Sequence, residues 1–263
     1  MPRPTPPRIA SFVALGCLAC APAAALAGDM IDFETRPNGA APGDDARLGN
    51  PYSLSGGGTV RFFFDANGND AYDDGVDVLP RFEEVGEDDD GGFDGFASST
   101  VGAGTFDRAR RGYGAQLGRF FLRQPDGIGV LPGPFVIAYD TAQAIREFSG
   151  EIWDVDAGER WRVDVLDAAG SVLRTLLSPQ GVGGPDGLDS LPWLFGFKDL
   201  PDGVTSIRLT FVGEKTDNIG LAFNNFSPTF AVAGSVVPEP SALALMGPAT
   251  ALGLAAAARR RRG

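Results

Sequence analysis

From Met30 to Phe223 the apolar residues come in short runs, separated by clusters of Gly, Pro, Asp and Asn. No sustained 3.6-residue repeat runs through them, so the pattern predicts strands and not long amphipathic helices. Predicted strands are Met30–Phe33, Thr59–Phe64, Gly118–Leu122, Phe135–Tyr139, Glu151–Val155, Trp161–Leu166, Val172–Leu177, Trp193–Phe197, Ser206–Val212 and Gly220–Phe223. Several alternate strictly. Trp161, Val163 and Val165 share one face and Arg162 and Asp164 the other, while Ile207, Leu209 and Phe211 alternate with Arg208 and Thr210. Such half-buried strands belong to antiparallel sheets with one wet face. The fold class read from this pattern is all-β, an antiparallel sandwich or barrel. Asp167-Ala168-Ala169-Gly170 reads as a hairpin turn between two of the strands. The stretch from Asp65 to Gly118 breaks the pattern: it is rich in Gly and Asp, and is predicted as long functional loop or partly disordered chain.

The two ends differ from this body. Arg3 and Arg8 precede an apolar stretch from Ile9 to Ala21, too short for a relaxed membrane span, and Ala25-Leu26-Ala27 follows. A positive start, a short apolar core and small residues at Ala25 and Ala27 predict a secretion signal over residues 1–27, cut before Gly28 by signal peptidase. Leu15-Gly16-Cys17 is an off-register version of a lipoprotein box, the leucine standing one place from where acylation requires it. At the other end, Val237-Pro238-Glu239-Pro240 leads into Ser241–Ala258, eighteen residues without a charge, closed by Arg259 to Arg262. As a helix those eighteen residues would be about 27 Å long, close to the thickness of a bilayer's hydrocarbon core. The arginines would stay cytoplasmic and leave the body outside. Alanine is the commonest residue of the span and Gly247-Pro248 interrupts it, which suits a segment that is recognised and then removed.

Composition narrows the chemistry of the body, Gly28 to Val236, whose length suits one domain. It holds 16 basic and 33 acidic side chains, a formal charge of −17. Phosphate recognition needs a basic face, so nucleic acid is excluded as a partner. Strong negative charge favours solubility and attracts divalent cations. The chain has no histidine, and its two cysteines, Cys17 and Cys20, both lie in the signal. The body therefore has no disulfide, no His/Cys zinc or copper site, and no Ser-His-Asp or Cys-His catalysis.

The order V-P-E-P, short apolar span and terminal arginine cluster over Val237–Gly263 resembles the PEP-CTERM sorting signal of Gram-negative bacteria. The resemblance implies that a membrane enzyme, exosortase, processes the tail after a membrane-anchored intermediate. It further implies delivery to the cell surface or extracellular matrix, often alongside exopolysaccharide production. The second half of the body also resembles domains of PEP-CTERM proteins. This rests on Ser149-Gly150-Glu151-Ile152-Trp153-Asp154, Glu159-Arg160-Trp161-Arg162-Val163, Asp167-Ala168-Ala169-Gly170 and Gly220-Leu221-Ala222-Phe223-Asn224-Asn225-Phe226. More loosely the body is similar to the galactose-binding-like jelly-roll sandwiches used as carbohydrate-binding modules. That similarity implies a jelly-roll β-sandwich. It also implies a structural calcium ion held between a carboxylate near the first strand, here Glu34, and one near the last. Asn224 occupies that last place, where an aspartate is usual.

Three features could carry chemistry. Asp65-Ala66-Asn67-Gly68-Asn69-Asp70, with Asp73, Asp74 and Asp77 behind it, sets oxygen ligands at alternate positions, as a calcium loop does. The candidate ligands are Asp65, Asn67, Asn69 and Asp73. Asp70 stands where an EF-hand has glycine, and Val76 where it has a bidentate glutamate. Glu87-Asp88-Asp89-Asp90 is a charge run, most simply a solvated loop, with Asp94 as a further candidate ligand and Arg108, Arg110 and Arg111 as candidate counter-charges. Trp153, Trp161, Trp193, Tyr113 and Tyr139 could stack on sugars, but aromatic residues more often fill cores. Trp161 alternates with valines and reads as core, whereas Tyr113, in a Gly-Arg loop, is the candidate glycan contact.

The sequence therefore predicts an exported, non-catalytic surface module that binds exopolysaccharide or matrix glycan, with Ca²⁺ as its candidate ion. Two alternatives stay open: a structural calcium-binding envelope protein, and a glycosidase working through paired carboxylates.

Overall fold

The computed structural model describes residues 26–87, 95–98, 107–125, 130–184 and 186–231. Most of the predicted signal, the run Asp88–Asp90 with Asp94, and the whole sorting tail lie outside them. Among the described residues no helix is long and apolar enough to cross a membrane.

The alternating segments form strands that bury their apolar positions between two antiparallel sheets. In chain order these are β1 (Leu26–Gly28), β2 (Tyr52–Ser53), β3 (Thr59–Phe64), β4 (Arg81–Glu84), β5 (Phe120–Arg123), β6 (Phe135–Asp140), β7 (Ile145–Val155), β8 (Trp161–Asp167), β9 (Val172–Leu177), β10 (Leu188–Phe197), β11 (Val204–Phe211) and β12 (Ala222–Ala231). One short helix, α1 (Gly114–Leu117), precedes β5. The first sheet runs β10-β7-β12-β5-β4, with β1 paired to the far half of β12, and the second runs β2-β3-β6-β11-β8-β9. From β5 onward successive strands alternate between the sheets, except that β8 and β9 form a hairpin within the second, and β5 and β12 are neighbours, as are β6 and β11. This is the winding of a jelly roll.

The face-by-face reading of the strands holds. Trp161, Val163 and Val165 are fully buried beside Ile207 and Leu209, and Val60, Phe62 and Phe64 join them from β3. The centre is aromatic. The Phe223 ring lies 5.1 Å from Phe135, 5.8 Å from Phe33 and 6.0 Å from Phe62. Trp153 and Trp193 are buried as well, and the hydroxyl of Tyr139 is buried without a hydrogen-bond partner. Neither tryptophan nor Tyr139 therefore presents a face to a sugar.

Three expectations need correction. Met30–Phe33 is not a strand. It makes one bridge, Ile31 to Phe226, and turns away at Phe33, whose φ is 60°. The stretch 65–118 is not all loop, since it supplies α1 and β4. The alternation in Arg81-Phe82-Glu83-Glu84 was hidden by its charges, three of four positions being ionisable residues. Those charges are neutralised by tertiary partners: Arg123 on β5 pairs with both Glu83 and Asp45, and Arg81 reaches Asp45. Segment 45–48 covers this edge, with Asp45 N–H donating to Phe82 O and Phe82 N–H to Ala46 O, which protects it from pairing with another chain. Finally, β7, β10 and β12 run well beyond the predicted segments, because Ser149, Gly150 and Ser227 supply no apolar signal yet pair in register.

Candidate functional sites

The acidic loop after β3 is built around one buried carboxylate. Asp65 is 2% exposed. Its Oδ1 accepts N–H bonds from Asn67, Gly68 and Asn69, and its Oδ2 accepts from Asp70 at 2.7 Å. Asp77 closes the other end, accepting from Ala66 and Asp73. Asn67 and Asn69 both donate their amides to Asp73 Oδ2 at 2.7 Å. The structure thus brings the four predicted ligands together, with their oxygens engaged as acceptors from the loop itself. Alternating Asx residues make this pattern locally, each capping the backbone two residues on. Asp70 points the other way and binds Arg208 on β11 at 2.9 Å, and Arg208 continues to Asp164. The Tyr72 ring packs on Phe63 and under Arg61. The loop is therefore fixed to the outer face of the second sheet.

Glu34 and Asn224 converge on one segment. Glu34 Oε1 accepts the N–H groups of Arg119 and Phe120, at 2.6 and 3.2 Å. Asn224 Nδ2 donates to Leu117 O at 2.6 Å, while its Oδ1 is buried and lacks a hydrogen-bond partner. Gly118 lies between them with φ 76°, and a Cβ there would meet Glu34 Oε1 at 2.1 Å. The neighbouring motif residues form a network: buried Glu151 accepts from Gln116, Trp153 and Asn225, at 2.7, 3.0 and 3.0 Å. These bonds pin α1 onto the outer face of the first sheet, where Leu117 packs with Ala97, Phe121, Trp153 and Ala222. Tyr113 sits at the head of α1, 39% exposed.

Beside this cover, among the described residues, the outer face of the first sheet stays open. A trough of about 400 Å³ crosses β10, β7 and β12. Its floor is a row of small residues in register, Gly196 opposite Ser149 and Ser149 opposite Ser227. A Cβ at Gly196 would come within 2.5 Å of Phe148 O, so the glycine is required for strand pairing as well as for the trough. Leu194, 65% exposed, gives it an apolar wall, and Glu147, Lys198 and Thr229 give it polar ones. Sequence reasoning missed this site because Ser and Gly in a strand carry no signal until three strands align. Ala27 and Gly28, which flank the predicted signal cut, lie on β1 opposite Phe230 and Thr229; Ala25 lies outside the described residues, as does the sorting motif.

No protein-family model matches the chain, and no curated protein matches it. Among solved structures it is similar to the K2 cleaved adhesin domain of Lys-gingipain. The identity is 13% and the TM-score 0.39, over 77% of this chain and 99% of that one. It is also similar to the K3 cleaved adhesin domain of Lys-gingipain from Porphyromonas gingivalis w83. There the identity is 9% and the TM-score 0.30, over 72% of this chain and 98% of that one.

Proposed function

We propose that this chain is an exported, non-catalytic binding module of the bacterial cell surface, and that the trough across β10, β7 and β12 takes a segment of exopolysaccharide or another matrix glycan. The observation that carries the reading is the character of that trough: an exposed leucine wall, a floor of Gly and Ser, and both charge signs at its rim. A sugar presents apolar C–H faces and a ring of hydroxyls, and a few placed polar groups around an apolar contact are what orient such a ligand. Among the described residues Glu147 is the one carboxylate lining the trough, whereas glycoside hydrolysis generally works through a facing pair; this favours binding over catalysis. Tyr113, on the adjoining cover, is a second proposed contact. Location is proposed from the two ends, with signal peptidase acting before Gly28 and exosortase on the tail that begins at Val237. Calcium enters as a structural ion. Of its two places proposed from sequence, Glu34 with Asn224 is favoured over the Asp65 loop, because the Asn224 amide oxygen lacks a donor.

The test is retention of purified Gly28–Val236 on a glycan array and on exopolysaccharide, in calcium and in EDTA. Ser149→Phe fills the trough from an exposed position and is expected to weaken retention at least tenfold with an unchanged melting temperature. If wild type is retained on no glycan, or if Ser149→Phe binds as wild type does, the trough is not the site.

A further inference from the structure

Where β7 ends and β10 begins, three carboxylates from separate parts of the chain meet. Asp107, Asp154 and Asp189 bring carboxyl oxygens within 4.8 Å of one another. Strand register places two of them. Leu188 pairs with Val155 and Pro192 with Trp153, so Asp189 to Leu191 bulge opposite Asp154. Both strands hold a non-glycine residue in the left-handed region there, Asp154 at φ 61° and Ser190 at φ 66°. Bulges of this kind re-aim side chains. Asp107 arrives from the cover of the first sheet. Its carbonyl accepts the Ala97 N–H at 2.7 Å, and the following Arg110 N–H bonds Ser190 O at 2.9 Å.

The buried members are under-satisfied. Asp189 is 7% exposed, and its Oδ2 accepts the Gly184 N–H at 2.7 Å. Its Oδ1 is buried without a hydrogen-bond partner, and so is Asp154 Oδ1. A buried carboxylate oxygen without a donor is costly, and like charges this close add to that cost. Burial holds the Asp154 carboxyl well above the usual range, and the negative charges of Asp107, Asp189, Glu159 and Asp156 push it the same way. Nearby cations are engaged elsewhere. Lys215 binds Asp156 and Glu159, and Arg110 meets Asp189 at its main-chain oxygen, 3.5 Å away.

We propose that Asp107, Asp154 and Asp189 form a calcium site that ties the cover of the first sheet to the β7–β10 edge. Three carboxylates in a body without histidine or cysteine make a hard-cation site. Oxygens that lie within 4.8 Å of one another are close enough to share one Ca²⁺ through Ca–O bonds of about 2.3–2.6 Å. The ion closes the loop between Asp107 and the strand ends. On the same cover, Phe96 stacks on the Trp153 ring at 6.1 Å. The site is separate from the trough and from both calcium places read from the sequence.

Equilibrium dialysis of the full-length chain against radioactive calcium tests it. Asp154→Asn with Asp189→Asn is expected to bind one ion fewer per chain than wild type. The same decrement is expected in an Asp65→Ala, Asn67→Ala background. Asp107 is exposed, so Asp107→Asn leaves packing intact and is expected to weaken the affinity of that ion at least tenfold. Calcium should also change Trp153 fluorescence in wild type and not in the double variant. Wild type that binds no calcium at millimolar concentration would overturn the site, and so would a double variant or Asp107→Asn that binds as wild type does. A double variant that melts higher in EDTA yet keeps the full stoichiometry would mean that a shared proton, not an ion, holds the cluster.

Discussion

Glu159 shows how one cation divided between two acids sets a pH response. It is 3% exposed, at the turn from β7 to β8. Lys215 Nζ lies 2.7 and 2.9 Å from the two oxygens of Asp156 but 3.2 Å from Glu159. The ammonium belongs mainly to Asp156, so burial prevails at Glu159 and pushes its carboxyl up to about 7 from 4.5. Between those values the folded chain keeps a proton that the unfolded chain has released. The stability this provides is complete below about pH 4.5 and is lost as the pH rises to about 7. Glu159→Gln preserves an acceptor for Lys215 and removes the ionisation. It is expected to remove this slope from the pH profile and to exceed wild type at pH 8 by about 1–3 kcal/mol. Urea midpoints at pH 4.5, 6 and 8 measure it; a variant whose profile parallels wild type would refute the assignment.

Among elements, the Asp65–Asp77 loop shows how alternating Asx residues order a long loop through its own N–H groups. The carboxylates of Asp65 and Asp77 accept from its own N–H groups, and the outward Asp70 is held by Arg208. Arg208→Ala is expected to free the loop from β11 and leave Asp164 short of a partner, costing about 1–3 kcal/mol. Hydrogen exchange at the amides of Gly68, Asn69 and Asp70 should quicken while exchange in β8 and β11 stays slow, since local opening precedes global unfolding. Unchanged exchange in the loop would mean that Asp65 alone orders it. In β12 the bulge between Asn224 and Ser227 does comparable work. Asn225 at φ 49° lets Asn224 and Asn225 reach the carbonyls of Leu117 and Gln116 while Phe223 and Phe226 stay in the core.

At the scale of the molecule, one aromatic core joins the two sheets, and Phe223 is at its crossing point. Rings of Phe135 and Phe62 reach it from the second sheet, and Phe195 and Phe226 from the first. Phe223→Ala is expected to cost about 3–5 kcal/mol through lost burial and the cavity left behind. It should appear as a lower urea midpoint with an unchanged slope. A cost under 1 kcal/mol would mean that the sheets close around the gap. The body's surplus of acid is carried outside this core, in the charged loops and faces, and favours solubility.

The sequence by itself located β3 and β5 to β12, at least in part, and the buried faces of β8 and β11, because side chains alternate with period two and apolar positions there face the core. It determined the Asp167–Gly170 turn, where Asp167 accepts the N–H groups of Ala169 and Ser171. It also brought Asp65, Asn67, Asn69 and Asp73 into view as one group, since their spacing is local. Tertiary structure alone decided that Arg81–Glu84 is a strand, because its charges are tolerable only beside Arg123 and Asp45. It decided that Gly196, Ser149 and Ser227 align into a trough, and that Asp107, Asp154 and Asp189 meet. Those groupings join residues from different strands and loops, so their proximity is set by sheet register and bulges, which no local pattern along the chain encodes.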